Sequence, residues 1–278
     1  MALHLEHIAV GFNLKAHHGP LLEGLRLASK TGAHLDILYV VQGGQDPIAI
    51  RDTVEKVVMA HAGDDCPQFT VHTLTGKVPV ALGQFCSDGN ADLLVVGPRA
   101  TTLRERFLTG GPAAQLARFI DIPVLLATGP GEGSFQKVLV PVDFSVPSTA
   151  ALKTAVEWVH GQEGAQIHVA HVFGPQGAPL RIDQGAQVGR LVNIVSDELA
   201  HYMSSIDFGG VQHEAKLLTG RTHKAILNYA DEIAADLIVI GVVGNNWLGE
   251  AIIGTTTARL IKAMKRPMLI VHPLGRGN

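Results

Sequence analysis

The chain has 278 residues, a length typical of one or two domains, and 46% of them are hydrophobic, which is enough for a sizeable core. Its net charge is −3 and only 17% of its residues are charged, so the composition excludes the basic footprint of a nucleic-acid-binding protein. Two cysteines are too few for a disulfide framework, and no run of about 18 apolar residues predicts a membrane span, so we expect a cytoplasmic protein without nucleic-acid or membrane partners.

Apolar, β-branched runs alternate with helical patterns along the chain. In the first half they predict strands near 5–12, 34–41, 68–75, 91–96 and 122–127, and helices near 16–31, 48–61, 77–88 and 110–119. In the second half they predict strands near 136–142, 165–173, 210–218, 236–241 and 267–272, and helices near 146–161, 184–204, 221–234 and 254–264. This alternation is typical of parallel sheets covered by helices on both faces.

Segments of the first half recur in the second. The matching pairs are 7–13 (HIAVGFN) with 137–143 (KVLVPVD), 91–97 (ADLLVVG) with 235–241 (ADLIVIG), and 122–127 (IPVLLA) with 266–271 (RPMLIV). We therefore expect two similar domains, residues 1–128 and 135–278, joined by a glycine-rich linker at 129–134.

Ligands of an open parallel sheet bind at the carboxyl ends of its strands, where the strand order reverses. In a flavodoxin-like order, 3-2-1-4-5, this point lies between the first and fourth strands. Asp143 ends the first predicted strand of the second domain and Gly241 ends the fourth, so we expect both residues to face one crevice.

A strand, a glycine-bearing loop and a helix follow one another at 236–265. Gly241 and Gly244 allow backbone N–H groups to turn inward. Gly254 and Thr255 open a helix whose N–H groups, hydroxyl and dipole favour an anion, so a phosphate is the expected ligand. The spacing is neither that of a Walker loop nor that of the dinucleotide Gly-x-Gly-x-x-Gly.

This loop resembles the nucleotide loop of the universal stress proteins, in which Gly, two residues, Gly, nine residues and Gly are followed by Ser or Thr. The resemblance extends over nearly the whole chain. It implies two flavodoxin-like domains, related to the adenine nucleotide alpha hydrolases, each with five parallel strands in the order 3-2-1-4-5 and helices on both faces. The implied ligand is ATP, with or without Mg²⁺, although AMP or ADP would satisfy much of the same site.

The resemblance also implies a set of nucleotide-binding residues in the second domain: Pro141, Val142, Asp143, Val172, Gly241, Gly244, Asn245, Gly254, Thr255 and Thr256. Asp143 would accept hydrogen bonds from ribose hydroxyls, Val172 would meet the adenine edge through its backbone, and the loop would hold the phosphates. Structural alternatives stay open. Asp143 or Ser145 could cap the following helix, Val172 could be plain core, and the glycines could serve only close helix–strand packing.

The first domain departs from this pattern. Asn13 stands in place of the aspartate, Ala100 in place of the second loop glycine, and Gly111 in place of the hydroxyl residue. A Cβ at Ala100 costs roughly 1–2 kcal/mol if the loop needs a left-handed backbone there, and Pro98 removes an N–H donor. We expect this site not to bind ATP in the family manner, but to serve as a structural partner or to hold a different small ligand.

The resemblance implies a role in stress response or regulation, in which nucleotide occupancy is sensed by an unidentified protein partner. The two domains are expected to pair within the chain, and two chains to form a homodimer. One alternative is a slow ATPase or phosphotransferase, but the loop has no Walker-type lysine and no clear general base, so we name no catalytic residue. Another alternative is a nucleotide-free scaffold or ligand carrier.

The fourteen histidines show no pair with an obvious third ligand, so we predict no metal site.

Overall fold

The computed structural model describes residues 4–15, 18–97, 120–129, 135–174, 185–242 and 254–273. The strands of the first half are β1 (His7–Gly11), β2 (His34–Val40), β3 (Phe69–Leu74), β4 (Leu93–Val96) and β5 (Val124–Leu126). Those of the second half are β6 (Lys137–Val142), β7 (Gln166–Phe173), β8 (Gln212–Thr219), β9 (Leu237–Gly241) and β10 (Met268–Val271). The helices are α1 (Gly19–Thr31), α2 (Pro47–Ala62), α3 (Val78–Phe85), α4 (Val146–Val159), α5 (Gly185–Ser204), α6 (Thr222–Glu232) and α7 (Thr255–Ala263).

These strands form one sheet in the order β3-β2-β1-β4-β5-β10-β9-β6-β7-β8. Within each half the neighbouring strands are parallel. The two halves meet where β5 pairs antiparallel with β10 and Leu125 lies opposite Leu269. The predicted α/β class, with a mostly parallel sheet, is confirmed.

Helices cover both faces of the sheet. Ile8 and Val10 of β1 belong to one hydrophobic cluster and Ala9 belongs to another, as expected when successive side chains of a strand point to opposite faces. The first cluster contains residues of α1, α2, α4 and α5, and the second contains residues of α3, α6 and α7. Because both faces are covered, the central strands are apolar along their length.

The repeated Ala-Asp pair ties neighbouring strands together where they begin. The carboxylate of Asp236, just before β9, accepts hydrogen bonds from the N–H groups of Gln136 (2.7 Å) and Lys137 (3.0 Å) at the start of β6. Asp92 accepts at 2.9 Å from the N–H groups of Glu6 and His7 in the same way. This motif is therefore structural in both halves.

One element differs from its prediction. The helix expected near 77–88 ends at Phe85, and the chain continues through a π-type turn to Asn90. Gly89 adopts a left-handed φ of 87° in this turn, a backbone conformation that glycine permits. The predicted helix at 110–119 lies outside the described residues. Within the described part of the chain, no helix is long and apolar enough to cross a membrane.

Candidate functional site

The carboxyl ends of β6, β7 and β9 meet at one edge of the sheet. β6 and β9 are parallel neighbours with Val138 opposite Leu237, and on its other side β6 pairs with β7. This arrangement brings together the end of β6 and Asp143, Val172 near the end of β7, and Gly241 at the end of β9. Pro141 and Val142 are the last two residues of β6, and Val142 is buried. Gly244 and Asn245 lie outside the described residues.

Asp143 follows β6 directly, and its carboxylate is held by the turn that it begins. The backbone N–H and the hydroxyl of Ser145 donate to Asp143 Oδ1 at 3.2 and 2.5 Å. Burial raises the pKa of the Asp143 carboxyl, but hydrogen bonds from Ser145 and Ser148 outweigh it and hold the pKa below its ordinary value. At neutral pH the side chain is therefore a carboxylate and only accepts hydrogen bonds.

The cap of the following helix is Ser145, not Asp143. Ser145 Oγ accepts a hydrogen bond from the N–H of Ser148 at 3.3 Å, in the first turn of α4. Both Ser145 contacts to the aspartate fall on Oδ1. The carboxylate is exposed, so it can also accept a hydroxyl of a ligand.

Gly241 has a structural reason to be glycine. A Cβ at this position would lie 2.1 Å from the carbonyl oxygen of Pro147 and 2.9 Å from the backbone nitrogen of Ser148. Real Cβ atoms do not approach backbone atoms so closely, and backbone cannot move aside as a flexible side chain can. The first turn of α4 therefore packs directly on the end of β9, beside Asp143.

Gly254 lies in a different environment, just before α7. Its φ of −55° is accessible to any residue, and a Cβ there would meet no described atom within 4 Å. No side chain of the described residues caps this helix, whose first N–H groups lack partners within the helix. Thr255 is exposed and Thr256 is half-buried. This helix end can donate hydrogen bonds to an anion and presents the positive end of the dipole.

An aromatic cluster beside Asp143 was not predicted from the sequence. The Phe144 ring stacks on the imidazole of His171, with centroids 4.4 Å apart and planes 17° apart, and lies 5.1 Å from the ring of Tyr202. The only sequence signal was an aromatic residue directly after Asp143. Tyr202 comes from the end of α5, and no spacing in the sequence indicates that it reaches this turn.

The corresponding turn of the first half is only partly similar. Asn13 Oδ1 accepts a hydrogen bond from the N–H of Lys15 at 2.9 Å, as Asp143 does from Ser145. A Cβ at Gly97 would lie 3.5 Å from Pro20 Cγ, an ordinary contact, so the helix approaches the strand less closely here. The other predicted differences, at Pro98, Ala100 and Gly111, lie outside the described residues.

Histidines gather around one buried carboxylate on the sheet of the first half. Asp36, on β2, is 5% exposed, and its two oxygens lie 3.0 Å from His7 Nδ1 and 2.7 Å from His72 Nε2. Burial raises the pKa of Asp36, but the hydrogen bonds from His72 and His7 outweigh it and lower the pKa. Within the described ranges, no group of three or more His, Cys, Asp or Glu side chains is arranged to hold a metal ion.

A model of the universal stress protein family matches the chain twice, over residues 5–128 and 134–272. A universal stress protein of Synechocystis is 24% identical over 185 residues, which cover 65% of this chain and 58% of that protein. One of Methanocaldococcus jannaschii is 25% identical over 155 residues, which cover 49% of this chain and 94% of that protein. The matched region thus spans less than two thirds of the Synechocystis relative and nearly all of the archaeal one.

The fold is shared with a solved structure of similar length. The crystal structure of a universal stress protein from Archaeoglobus fulgidus superposes with a TM-score of 0.69 at 19% sequence identity. The superposition covers 96% of this chain and 98% of that one. At this identity the likeness concerns the architecture, which here includes both halves of the chain.

Proposed function

The chain belongs to the universal stress protein family, and we propose that it binds ATP at one site, in its second half, as a cytoplasmic, nucleotide-dependent regulatory or stress-tolerance factor. We infer two domains, residues 1–128 and 135–278, joined by the linker 129–134. In this proposal the first domain keeps the fold but not the nucleotide site.

The fixed carboxylate of Asp143 carries the proposal. It lies at the edge where β6 and β9 end, its pKa is held low, and it is exposed to solvent. A carboxylate that is ionised and already oriented suits two vicinal hydroxyls, as on ribose. Val172, on the adjacent strand, would meet the adenine edge.

The phosphates would bind at the start of α7. Gly254, Thr255 and Thr256 would donate from N–H groups and hydroxyls, together with Gly244 and Asn245. No atom of the described residues lies within 4 Å of the Cβ position at Gly254, which supports this role, because a phosphate can come close to a backbone that carries no Cβ. Each contact between a phosphate and the helix dipole is worth about 0.3–1 kcal/mol when exposed, so the affinity must come from several contacts acting together.

Regulation fits these residues better than turnover. The one carboxylate that we place in the site, Asp143, is bound to Ser145 at the proposed nucleoside end, away from the reacting phosphate. Phosphoryl transfer needs positioned positive charge and an activated nucleophile, and the proposed site residues supply neither. We infer that ATP occupancy is sensed by a protein partner. We also propose that the β5–β10 pairing joins the two domains as a functional pair, and that two chains form a homodimer.

Thermal unfolding with and without Mg-ATP tests the proposal, and the repeat offers a matched control. At 100 times the dissociation constant, ATP adds about 2.7 kcal/mol to the free energy of unfolding, which should raise the midpoint by several degrees. We expect this rise in the wild type and in Asn13→Ala, but a much smaller one in Asp143→Ala.

The other outcomes identify the alternatives. An equal rise in all three proteins would place the nucleotide away from Asp143. No rise in the wild type would favour a nucleotide-free scaffold or ligand carrier. Release of phosphate faster than about one per minute, still far below ordinary enzyme rates, and lost in Gly254→Ala, would favour the slow ATPase.

A further inference from the structure

Phe144 has an unusual backbone conformation. Its φ is 63°, in the left-handed region that a residue with a large side chain rarely adopts. Such a conformation persists only where the surrounding structure enforces it, and it often marks a functional site. Phe144 lies between Asp143 and Ser145, so its conformation sets the direction of the Asp143 side chain relative to the helix cap.

His171, on β7, holds one side of this turn. Its Nδ1 lies 2.9 Å from the carbonyl oxygen of Val142, and because a carbonyl only accepts, Nδ1 must carry the proton. This hydrogen bond fixes the imidazole plane, and the Phe144 ring stacks on it almost in parallel. The end of β6 and the turn are thus both attached to β7.

Tyr202, at the end of α5, holds the other side. Its hydroxyl donates to Thr149 Oγ1 at 3.0 Å, and Thr149 Oγ1 donates to the carbonyl oxygen of Ser145 at 2.9 Å. Its ring packs against Phe144. Burial and the negative charge of Asp143 raise the pKa of Tyr202, while the hydrogen bond with Thr149 lowers it. Tyr202 therefore contacts Phe144 of the turn through its ring and is linked to Ser145 through Thr149. It also lies close enough to Asp143 for the negative charge of that carboxylate to raise its pKa.

We propose that Tyr202 is a positioning residue that fixes the Asp143 carboxylate in the orientation needed for the ribose hydroxyls of the nucleotide. This proposal rests on the proposed function, since it assigns Tyr202 to the same site. It makes the end of α5 part of the nucleotide site, through the contacts of Tyr202 with Phe144 and Thr149.

The first half supports this assignment by contrast. The repeat places Leu14 at the position of Phe144, and Leu14 is not among the described residues with a left-handed φ. The N–H of Lys15 still donates to the Asn13 side chain, but the residue directly after Asn13 is leucine and not an aromatic residue. Of these two corresponding turns, only the one in the half that keeps the aspartate has a left-handed φ at the residue after it.

The test compares the affinities for ATP and 2′-deoxy-ATP by isothermal titration calorimetry. Tyr202→Phe removes the hydroxyl and keeps the ring. We expect its affinity for ATP to fall about threefold to tenfold, the effect of one lost hydrogen bond. Its affinity for 2′-deoxy-ATP should fall less, because that ligand depends less on Asp143. The preference for ATP is the diagnostic measurement, since a purely structural defect would weaken both ligands equally.

Three further variants sharpen the test. Thr149→Val should act like Tyr202→Phe, and the double variant should be no worse than either single one, because both interrupt the same chain of hydrogen bonds. Tyr229→Phe is the matched control: it also removes a hydrogen-bonded hydroxyl, donated at 2.9 Å to Glu214, but from the opposite face of the sheet. Its preference for ATP should equal that of the wild type.

The outcomes separate the two claims. If the wild type binds ATP and Tyr202→Phe keeps the full preference over 2′-deoxy-ATP, the positioning role is wrong and the nucleotide site stands. If the wild type binds no ATP, the proposed function is wrong and the role of Tyr202 falls with it. If Tyr229→Phe loses the preference to the same extent, the effect is general and the assignment to Tyr202 is overturned.

Discussion

Two glycines of the proposed site meet different demands. Gly241 is fixed by packing, because the carbonyl of Pro147 occupies the space that a Cβ would need. Gly254 has an ordinary φ, and a Cβ there would meet no described atom within 4 Å, so no packing within the described residues requires glycine there. A substitution at Gly241 should therefore change the stability of the fold, whereas a substitution at Gly254 should change the affinity for a ligand.

Gly241→Ala should lower the free energy of unfolding by about 1–3 kcal/mol or more, because α4 must move away from β9. Gly254→Ala should leave the free energy of unfolding within about 0.5 kcal/mol of the wild type. The same variant should weaken ATP binding, since its methyl group occupies the space proposed for a phosphate. Urea unfolding and calorimetric titration of both proteins check this. Equal stability losses would contradict the packing argument.

Asp36 links stability to pH. Its pKa is lowered in the folded state, so the fold favours the ionised form over the protonated one. The stability that it contributes is fully present above the ordinary pKa of about 3.9, and it is lost as the pH falls through the folded-state pKa. The carboxylate and its two histidines thus contribute to the acid limb of the stability curve.

Asp36→Asn should make the free energy of unfolding depend less steeply on pH at acid pH. Between about pH 5 and pH 2, the free energy of unfolding of the wild type should fall more steeply than that of the variant. Asp52→Asn, at an exposed position of α2, is the control and should follow the wild type. Chemical unfolding across this range measures the difference. Parallel curves for the wild type and Asp36→Asn would show that the histidine contacts do not stabilise the carboxylate.

Part of the residue-scale picture could be predicted from the sequence. Asp143 and Gly241 could be placed at one edge because they lie at the ends of strands whose apolar runs are plain in the sequence. Tyr202 could not, because its contact with Thr149 joins residues 53 positions apart in different helices. The sequence also leaves the packing role of Gly241 open, since it does not show how closely α4 approaches β9.

At the scale of elements, the repeated Ala-Asp pair anchors the strand ends in each half. Asp236→Ala would leave the N–H groups of Gln136 and Lys137 without their acceptor. We expect a loss of about 1–3 kcal/mol in the free energy of unfolding. Asp207→Ala is a suitable comparison, because that exposed carboxylate accepts a hydrogen bond within its own turn, from the N–H of Gly209 at 2.9 Å. Similar losses in the two variants would argue against an anchoring role.

The elements themselves were largely predictable, and the reason is physical. Parallel strands buried on both faces have continuous apolar runs, such as 93–96 and 237–241, that stand out from amphipathic helices. Helix and strand boundaries that depend on one backbone conformation were harder to predict from the sequence. The end of α3 is an example, because it depends on the turn through Gly89.

At the scale of the molecule, the two halves share one sheet, and the hydrophobic cluster on each of its faces contains residues of both halves. On one face, residues of α1 and α4 belong to the same hydrophobic cluster. Across the junction, the Arg26 guanidinium lies 5.1 Å from the centroid of the Phe135 ring, which in turn packs 6.2 Å from Trp158. Halves that share this much buried surface should unfold together.

Calorimetry should therefore show one unfolding transition for the wild type. Leu125→Asp places an unpaired charge opposite Leu269 in the β5–β10 pairing, and it should separate or strongly destabilise the halves. Leu191→Asp introduces the same charge at a half-exposed position of α5 and should keep the single transition. Two resolved transitions in the wild type would mean that the shared sheet does not couple the halves.

The most direct test of the account is the number of ATP molecules that one chain binds. Isothermal titration calorimetry of the wild type with Mg-ATP should give one equivalent per chain, lost in Asp143→Ala and kept in Asn13→Ala. That result would support one nucleotide site, in the second half. Two equivalents would contradict the degenerate first site, and no binding would contradict the nucleotide-dependent function itself.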